Sequence, residues 1–219
     1  MTKPTNPDIL KKIMDVVKEL IKSKGLDAVS MRTVGELAGI TPTTIYYYFK
    51  DKSEMIEAVK QDALSQLDQF VEKAIDTNLS FALQLKSLIS SFINWSLQNQ
   101  TLAELIFEKL HEHIELTDDL VKLYYKTQLR AADILERGQQ NGEFKFKDSN
   151  LEAALIFAWL QGVIISFFDK RLPPDFWDHP QPLVDRFFEI YIDNNLKIKK
   201  TEEQRRDISE TKYINKDNF

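Results

Sequence analysis

Between Pro42 and Gly138 the chain contains neither glycine nor proline. Strand-rich folds need a turn residue every ten residues or so, and nucleotide-binding folds need glycines where backbone approaches phosphate. So long a run supplies neither. The chain of 219 residues holds only six glycines, against the roughly 15 that average usage gives. The expected fold is all-helical. Its length suits one domain with a sizeable core, or a small head joined to a larger body. At 43% hydrophobic and 29% charged residues, the composition is that of a folded chain.

There is no cysteine, which excludes a disulfide framework, a thiolate metal site and thiol catalysis. Residues 1–7 reach charge before any apolar run, unlike a secretory leader. The most apolar stretch, Leu151 to Phe168, has about the length of a membrane span, yet it carries Glu152 and Gln161 and ends in Asp169-Lys-Arg. It reads as a helix covered on both faces, and a cytoplasmic location is expected. Charge is uneven. Residues 1–52 have nine Lys/Arg against six Asp/Glu, whereas the rest is acidic, within a total of −5. A basic head on an acidic body suits a polyanion partner for the head alone.

Capping signals mark the helices. Asn6-Pro7-Asp8 opens the first, and Lys24-Gly25 closes it. Ser30 caps a second, of about eight residues, ended by Gly39. Thr41-Pro42 opens a third to about Phe49, and Asp51 with Glu54 starts a fourth through Leu67. Longer helices are expected at about 80–99, 102–113, 118–140, 150–170 and 182–199. Residues 200–219 form a charged tail without clear periodicity.

Residues 30–49 thus place two short helices around Ala38-Gly39-Ile40-Thr41, the plan of a helix-turn-helix. Ala38 is small enough for a close crossing, Gly39 tolerates positive φ, and Ile40 plugs the turn. Val34, Leu37, Ile45 and Phe49 are expected to be buried. Thr43, Thr44, Tyr46 and Tyr47 remain outward on the third helix. Hydroxyls and aromatic rings there suit the major groove, with its phosphates, base edges and thymine methyls. Lys52, at the next helix N-terminus, suits a phosphate. A short hairpin of this kind also occurs as plain packing, and then it would bind protein or nothing.

The run from Gly25 through Leu37-Ala-Gly-Ile, Ile45-Tyr46, Tyr48-Phe49 and Lys50-Asp-Lys to Met55 closely resembles the signature of the TetR/AcrR family of transcriptional regulators. The resemblance covers about 45 N-terminal residues. It implies a homodimeric regulator, commonly a repressor, with a DNA-binding domain at 1–52 and an effector-binding, dimerising body at 53–199. Transferred position by position, it implies phosphate contacts for Ser30 and Arg32, with Arg32 within reach of a base. Base-edge contacts fall to Thr43, Thr44 and Tyr47. Phosphate contacts fall to Tyr46, Tyr48 and Lys52. Tyr48 stands where the family often has His, and its alternative role is packing against the first helix.

The body carries no motif. Glu108, His111 and Glu115 have spacings compatible with a metal, but such helix faces are usually solvated. His111 and His113 point about 200° apart on a helix and cannot share an ion. His179 has no evident partner. No metal or cofactor is expected, and no nucleophile–base pair supports an enzyme. Phe92, Trp95, Phe107, Tyr124 and Trp159 are the candidates for lining an apolar effector cavity. Helices apolar on more than one face, at 151–168 and 182–196, require a cover. A second copy meeting Trp159, Phe168, Phe187 and Tyr191 would provide one. The expected reading is a repressor released from its DNA operator by a small, neutral or cationic apolar effector. The competing readings are a helical protein-interaction module and a helical enzyme without a DNA role.

Overall fold

The computed structural model describes residues 6–107, 117–145, 148–176 and 181–192. Among these residues there are nine α-helices and no strand. Their order is α1 (Pro7–Lys24), α2 (Met31–Ala38), α3 (Pro42–Tyr48), α4 (Lys52–Ala74), α5 (Phe81–Gln98), α6 (Gln100–Phe107), α7 (Asp118–Gln140), α8 (Ser149–Phe168) and α9 (Gln181–Phe187). A short 3-10 turn at Leu26–Ala28 joins α1 to α2, and α9 continues as a π turn over Phe188–Ile192. The tail at 200–219, the end of the last expected helix, Glu108, His111, His113, Glu115 and His179 lie outside the described residues.

The caps act as their chemistry dictates. Asn6, Ser30, Thr41, Asp51, Ser80, Thr117 and Asp148 each accept a backbone N–H of the helix they begin, satisfying donors that a helix leaves unpaired. Asn99, at φ −126°, separates α5 from α6.

Two apolar cores form. The smaller holds Ile13, Val17, Val34, Ile45, Phe49, Met55, Ile56 and Val59, from α1 to α3 and the start of α4, with Leu105 of α6. The larger holds Ala63, Leu67 and Val71 of α4 with Leu88, Phe92, Leu135, Ile156 and Leu160 from α5, α7 and α8. Thus α4 crosses from one core to the other. It packs on α1, α5, α6 and α7, so more than one of its faces is covered.

Two sequence expectations need correction. Leu37 is 59% exposed. The buried set of α2 is Val34, Gly35 and Ala38, and at 100° per residue Leu37 lies about 105° from the centre of that face. It lines a shallow surface cleft with Val16 and Leu20 of α1 instead. The second concerns α8, which is long and apolar enough to cross a membrane by length and composition. Within one chain only its Ala153, Ile156, Leu160 and Ile164 face is buried, while Leu151 and Leu155 are more than half exposed.

Candidate nucleic-acid interface and effector region

The turn between α2 and α3 depends on backbone geometry. Gly39 adopts φ 63°, ψ 36°, the left-handed region, which other residues enter at a strain cost. Its reversal lets the Ile40 N–H reach the Gly35 carbonyl at 2.9 Å. A Cβ on Gly35 would stand 3.0 Å from the Ile40 carbonyl oxygen, so this glycine, as well as Ala38, permits the crossing. Sequence reading overlooked it, because a glycine inside a helix pattern has no signature beyond its small size.

Thr41 caps α3, its Oγ1 accepting the Thr44 N–H at 3.3 Å and sitting 2.8 Å from the Thr44 hydroxyl. Ile45 is fully buried, and this pins the face that α3 presents. Thr43 is exposed, Thr44 half-buried, and Tyr46 and Tyr47 are 57% and 39% exposed. These four therefore share the free side of α3 and its margin.

The remaining candidates stand around it with structural partners. Ser30 Oγ caps α2, accepting the Thr33 N–H at 3.0 Å. Arg32 is exposed and pairs with Glu36 one turn on, at 2.8 Å. That hydrogen bond and the carboxylate charge raise its pKa. Tyr48 is half-buried and edge-on to Tyr47. Its hydroxyl accepts the Asn6 N–H at 3.1 Å and donates to the Asn6 carbonyl at 3.4 Å. It thus tethers α3 to the start of α1. Lys52 Nζ donates to the Leu26 carbonyl at 2.7 Å, which holds its ammonium beside the α1–α2 connection.

In the body, Phe92 and Trp95 of α5 are buried. Phe107 of α6 lies 6.4 Å from Phe92 between ring centres, and Phe157 of α8 meets Phe92 edge-on at 5.3 Å. Tyr124 of α7 is turned to α4, where its hydroxyl donates to Glu57 Oε1 at 2.6 Å. Trp159 is drawn elsewhere. It stacks on Phe187 at 3.9 Å, and Phe187 stacks on Tyr191 at 4.9 Å. Phe168 is half-buried against Phe167 at the end of α8. Candidate dimer residues Trp159, Phe187 and Tyr191 therefore form one aromatic row, and Phe92 with Phe107 forms another cluster.

Charged groups buried on α4 had no signature in the sequence. Glu57, Lys60 and Asp68 are at most 5% exposed. Arg130 of α7 donates to both Asp68 oxygens at 3.1 and 3.2 Å, Lys126 reaches Asp68 at 2.9 Å, and Arg130 also reaches Glu72. Burial tends to lower the Arg130 pKa, but Asp68 and Glu72 outweigh it and raise the value. Lys18 of α1 reaches Asp62 of α4 at 2.6 Å, tying the small core's first helix to the long one.

A capped helix-turn-helix at the N-terminus, carried on a larger helical body, defines the class of DNA-binding regulators. Residues 13–59 match the family model described as "Bacterial regulatory proteins, tetR family". The N-terminal part of the chain is thus similar to the DNA-binding domain of that family's regulators. Among its relatives is the HTH-type transcriptional regulator TtgR of Pseudomonas putida, 25% identical over 74% of this chain and 81% of that protein. The HTH-type transcriptional repressor KstR2 of Mycolicibacterium smegmatis is 25% identical over 68% of this chain and 72% of that one. In fold, the chain is similar to the transcriptional regulator FadR of Bacillus subtilis, solved in complex with stearoyl-CoA. There the TM-score is 0.68 at 20% identity, covering 83% of this chain and 98% of that one.

Proposed function

We propose that the protein is a ligand-responsive repressor that binds operator DNA as a homodimer and leaves it when a small apolar effector occupies the body. The observation that carries this reading is α3, held by a threonine cap and a buried Ile45, with Thr43, Thr44, Tyr46 and Tyr47 on and beside its free side. Thr43, Thr44 and Tyr47 read base edges. Ser30, Arg32, Tyr46, Tyr48 and Lys52 hold phosphates and fix the register. Tyr48 also braces α3 through its bonds to Asn6, so its loss would disturb the position of the helix as well as a contact.

The half-exposed Leu151 and Leu155 of α8 and the Trp159–Phe187–Tyr191 row support a second copy as the cover of this face. Phe92, Trp95, Phe107 and Tyr124 surround the effector. The stearoyl-CoA complex of FadR supports a body of this fold as a small-molecule holder. Two elements relay occupancy to the head: α4, which passes through both cores, and Leu105 of α6, which is buried in the smaller one. An effector must bind better to the conformation that fits DNA poorly, since equal affinity for both shifts nothing. A hundredfold release needs about 2.7 kcal/mol of differential binding.

The test is a gel shift on DNA upstream of the protein's own gene, repeated over a salt series. Specific binding should weaken linearly in log K against log salt. Binding no tighter than to scrambled DNA of equal length would refute the reading.

A further inference from the structure

The shallow cleft that Leu37 shares with Val16 and Leu20 runs along α1 on the outer side of the head. Val16 is half-buried and Leu37 is exposed, so the cleft carries apolar surface open to solvent. Six charged residues edge it, Asp8, Asp15 and Glu19 against Lys11, Lys12 and Lys24. All six are exposed, and among the described residues none of them is in an ion pair, whereas Lys18 on the same helix is held by Asp62. Asp8, Lys12, Asp15 and Glu19 share the face of α1 turned away from its buried Ile13, Val17 and Ile21.

The pattern of these charges narrows what can dock. Three acids balance three bases, so the face offers a polyanion no net attraction. Being shallow, it does not enclose a small molecule. The order of the charges, in contrast, is self-complementary. Lys12 and Glu19 lie about 5 Å to either side of the point between Asp15 and Val16, and Asp8 and Lys24 about 12 Å, at roughly 1.5 Å per helical residue. Two α1 helices laid antiparallel about a two-fold axis at that point bring Lys12 opposite the partner's Glu19 and Asp8 towards the partner's Lys24. Each pair then occurs twice. The Lys11 and Lys12 ammoniums offset the two Asp15 carboxylates near the axis.

We propose that this face joins neighbouring dimers, α1 of one head docking against α1 of a second copy of the chain, with Val16 and Leu37 covered beside the axis. The inference goes beyond the reading of the protein as a DNA-bound homodimer and rests on it for the choice of copy. Within one dimer such a contact would fix the spacing of the two heads, which release from DNA must change; the second copy therefore belongs to another dimer. One helix against another buries less than a standard interface of about 1,600 Å², so the contact is transient between free dimers. On DNA, two dimers on adjacent sites are held at high effective concentration, and the same contact makes their binding cooperative.

The experiment uses the full chain, which has no cysteine of its own, carrying single cysteines and no DNA. A disulfide forms only where the two Cα atoms approach within about 7 Å. Asp15→Cys, near the axis, should therefore crosslink under mild oxidation at least tenfold faster than Ser23→Cys, about 11 Å along the same helix from it. The linked protein should sediment as two dimers or more. In the Asp15→Cys background, Lys12→Glu or Glu19→Lys, each checked for folding by circular dichroism, should slow crosslinking about tenfold. The two together should restore it to within about threefold. Equal rates for Asp15→Cys and Ser23→Cys, a double reversal no faster than the single ones, or linked protein that sediments as one dimer would overturn the proposal. Specific binding to the upstream DNA without the Asp15→Cys crosslink would overturn the contact but leave the regulator reading intact. Conversely, a charge-dependent crosslink in protein that binds no specific DNA would support the contact and count against that reading.

Discussion

Gly138 sits in the last turn of α7 with no room for a side chain. A Cβ there would stand 2.4 Å from the Phe144 ring and 2.9 Å from Phe81 Cβ. Gly138→Ala should therefore destabilise the fold by about 1–3 kcal/mol through overpacking, seen as a lower urea midpoint at unchanged slope. A midpoint equal to the native one would mean that Phe144 moves aside freely. At the head, Lys52→Ala should flatten log K against log salt by about one unit, since one phosphate contact is lost. Its bond to the Leu26 carbonyl adds a small loss of thermal stability, a consequence that the sequence alone did not suggest. Thr44→Val and Tyr47→Phe should instead change which operator is preferred, at about 1–3 kcal/mol per lost base contact. Uniform weakening on every sequence, measured by competition binding, would contradict the base-edge role of these two residues.

The sequence located the helices well because their ends are chemically marked. Asn6-Pro7, Ser30, Thr41-Pro42 and Asp51 each cap the helix expected from them, and such bonds reach only two or three residues. What faces a helix is another matter. On α4, Glu57, Lys60 and Asp68 look like solvated positions, yet all three are buried, with Tyr124, Lys126 and Arg130 of α7 against them. Arg130 and Asp68 join α4 to α7, and Arg130→Ala would leave a 1%-exposed carboxylate with Lys126 as its remaining ion-pair partner. The expected loss is about 2–4 kcal/mol, measured by chemical denaturation; a change below about 0.5 kcal/mol would mean that water replaces the guanidinium. On α8, Glu152 has its pKa raised, first by burial and then by the charge of Asp148. A raised acid pKa means that the folded state holds the proton more tightly. Stability is thus favoured below the ordinary carboxylate pKa of about 4.3 and falls as pH rises through the elevated value. Glu152→Gln should remove that part of the pH dependence and leave the protein no less stable at neutral pH, as tested by melting curves across pH 4–8.

At the scale of the whole molecule, the proposed assembly places the exposed half of α8 and the aromatic row reaching α9 against a second copy. A charged residue in place of Phe187, which is sandwiched between Trp159 and Tyr191, should yield monomers or aggregates in sedimentation. The unmodified protein should sediment as a two-fold dimer, with recognition helices about 34–36 Å apart to match one DNA turn. A stable native monomer would remove the basis for that spacing. The link between body and head is equally global. Ligand-driven tilting of α4 near Leu64–Val71 should change the spacing of the two heads, and distance measurements between labels on the two α3 helices would detect it. An unchanged distance at saturating ligand would exclude this route.

The sequence by itself determined the all-helical class, the helix ends and the helix-turn-helix, because caps, turns and the absence of glycine and proline act through short-range sterics and hydrogen bonds. It also marked the outward residues of α3, since Ile45 and Phe49 leave little choice of face. Tertiary structure alone decided that Leu37 is exposed, that Trp159 stacks with Phe187, that Glu143 caps α5 across the chain through Phe81 and Ala82, and that Glu57 lies buried and accepts the Tyr124 hydroxyl. Each of these depends on which distant helix arrives at a given face. Helical periodicity gives the direction in which a side chain points, but only packing decides what it meets there.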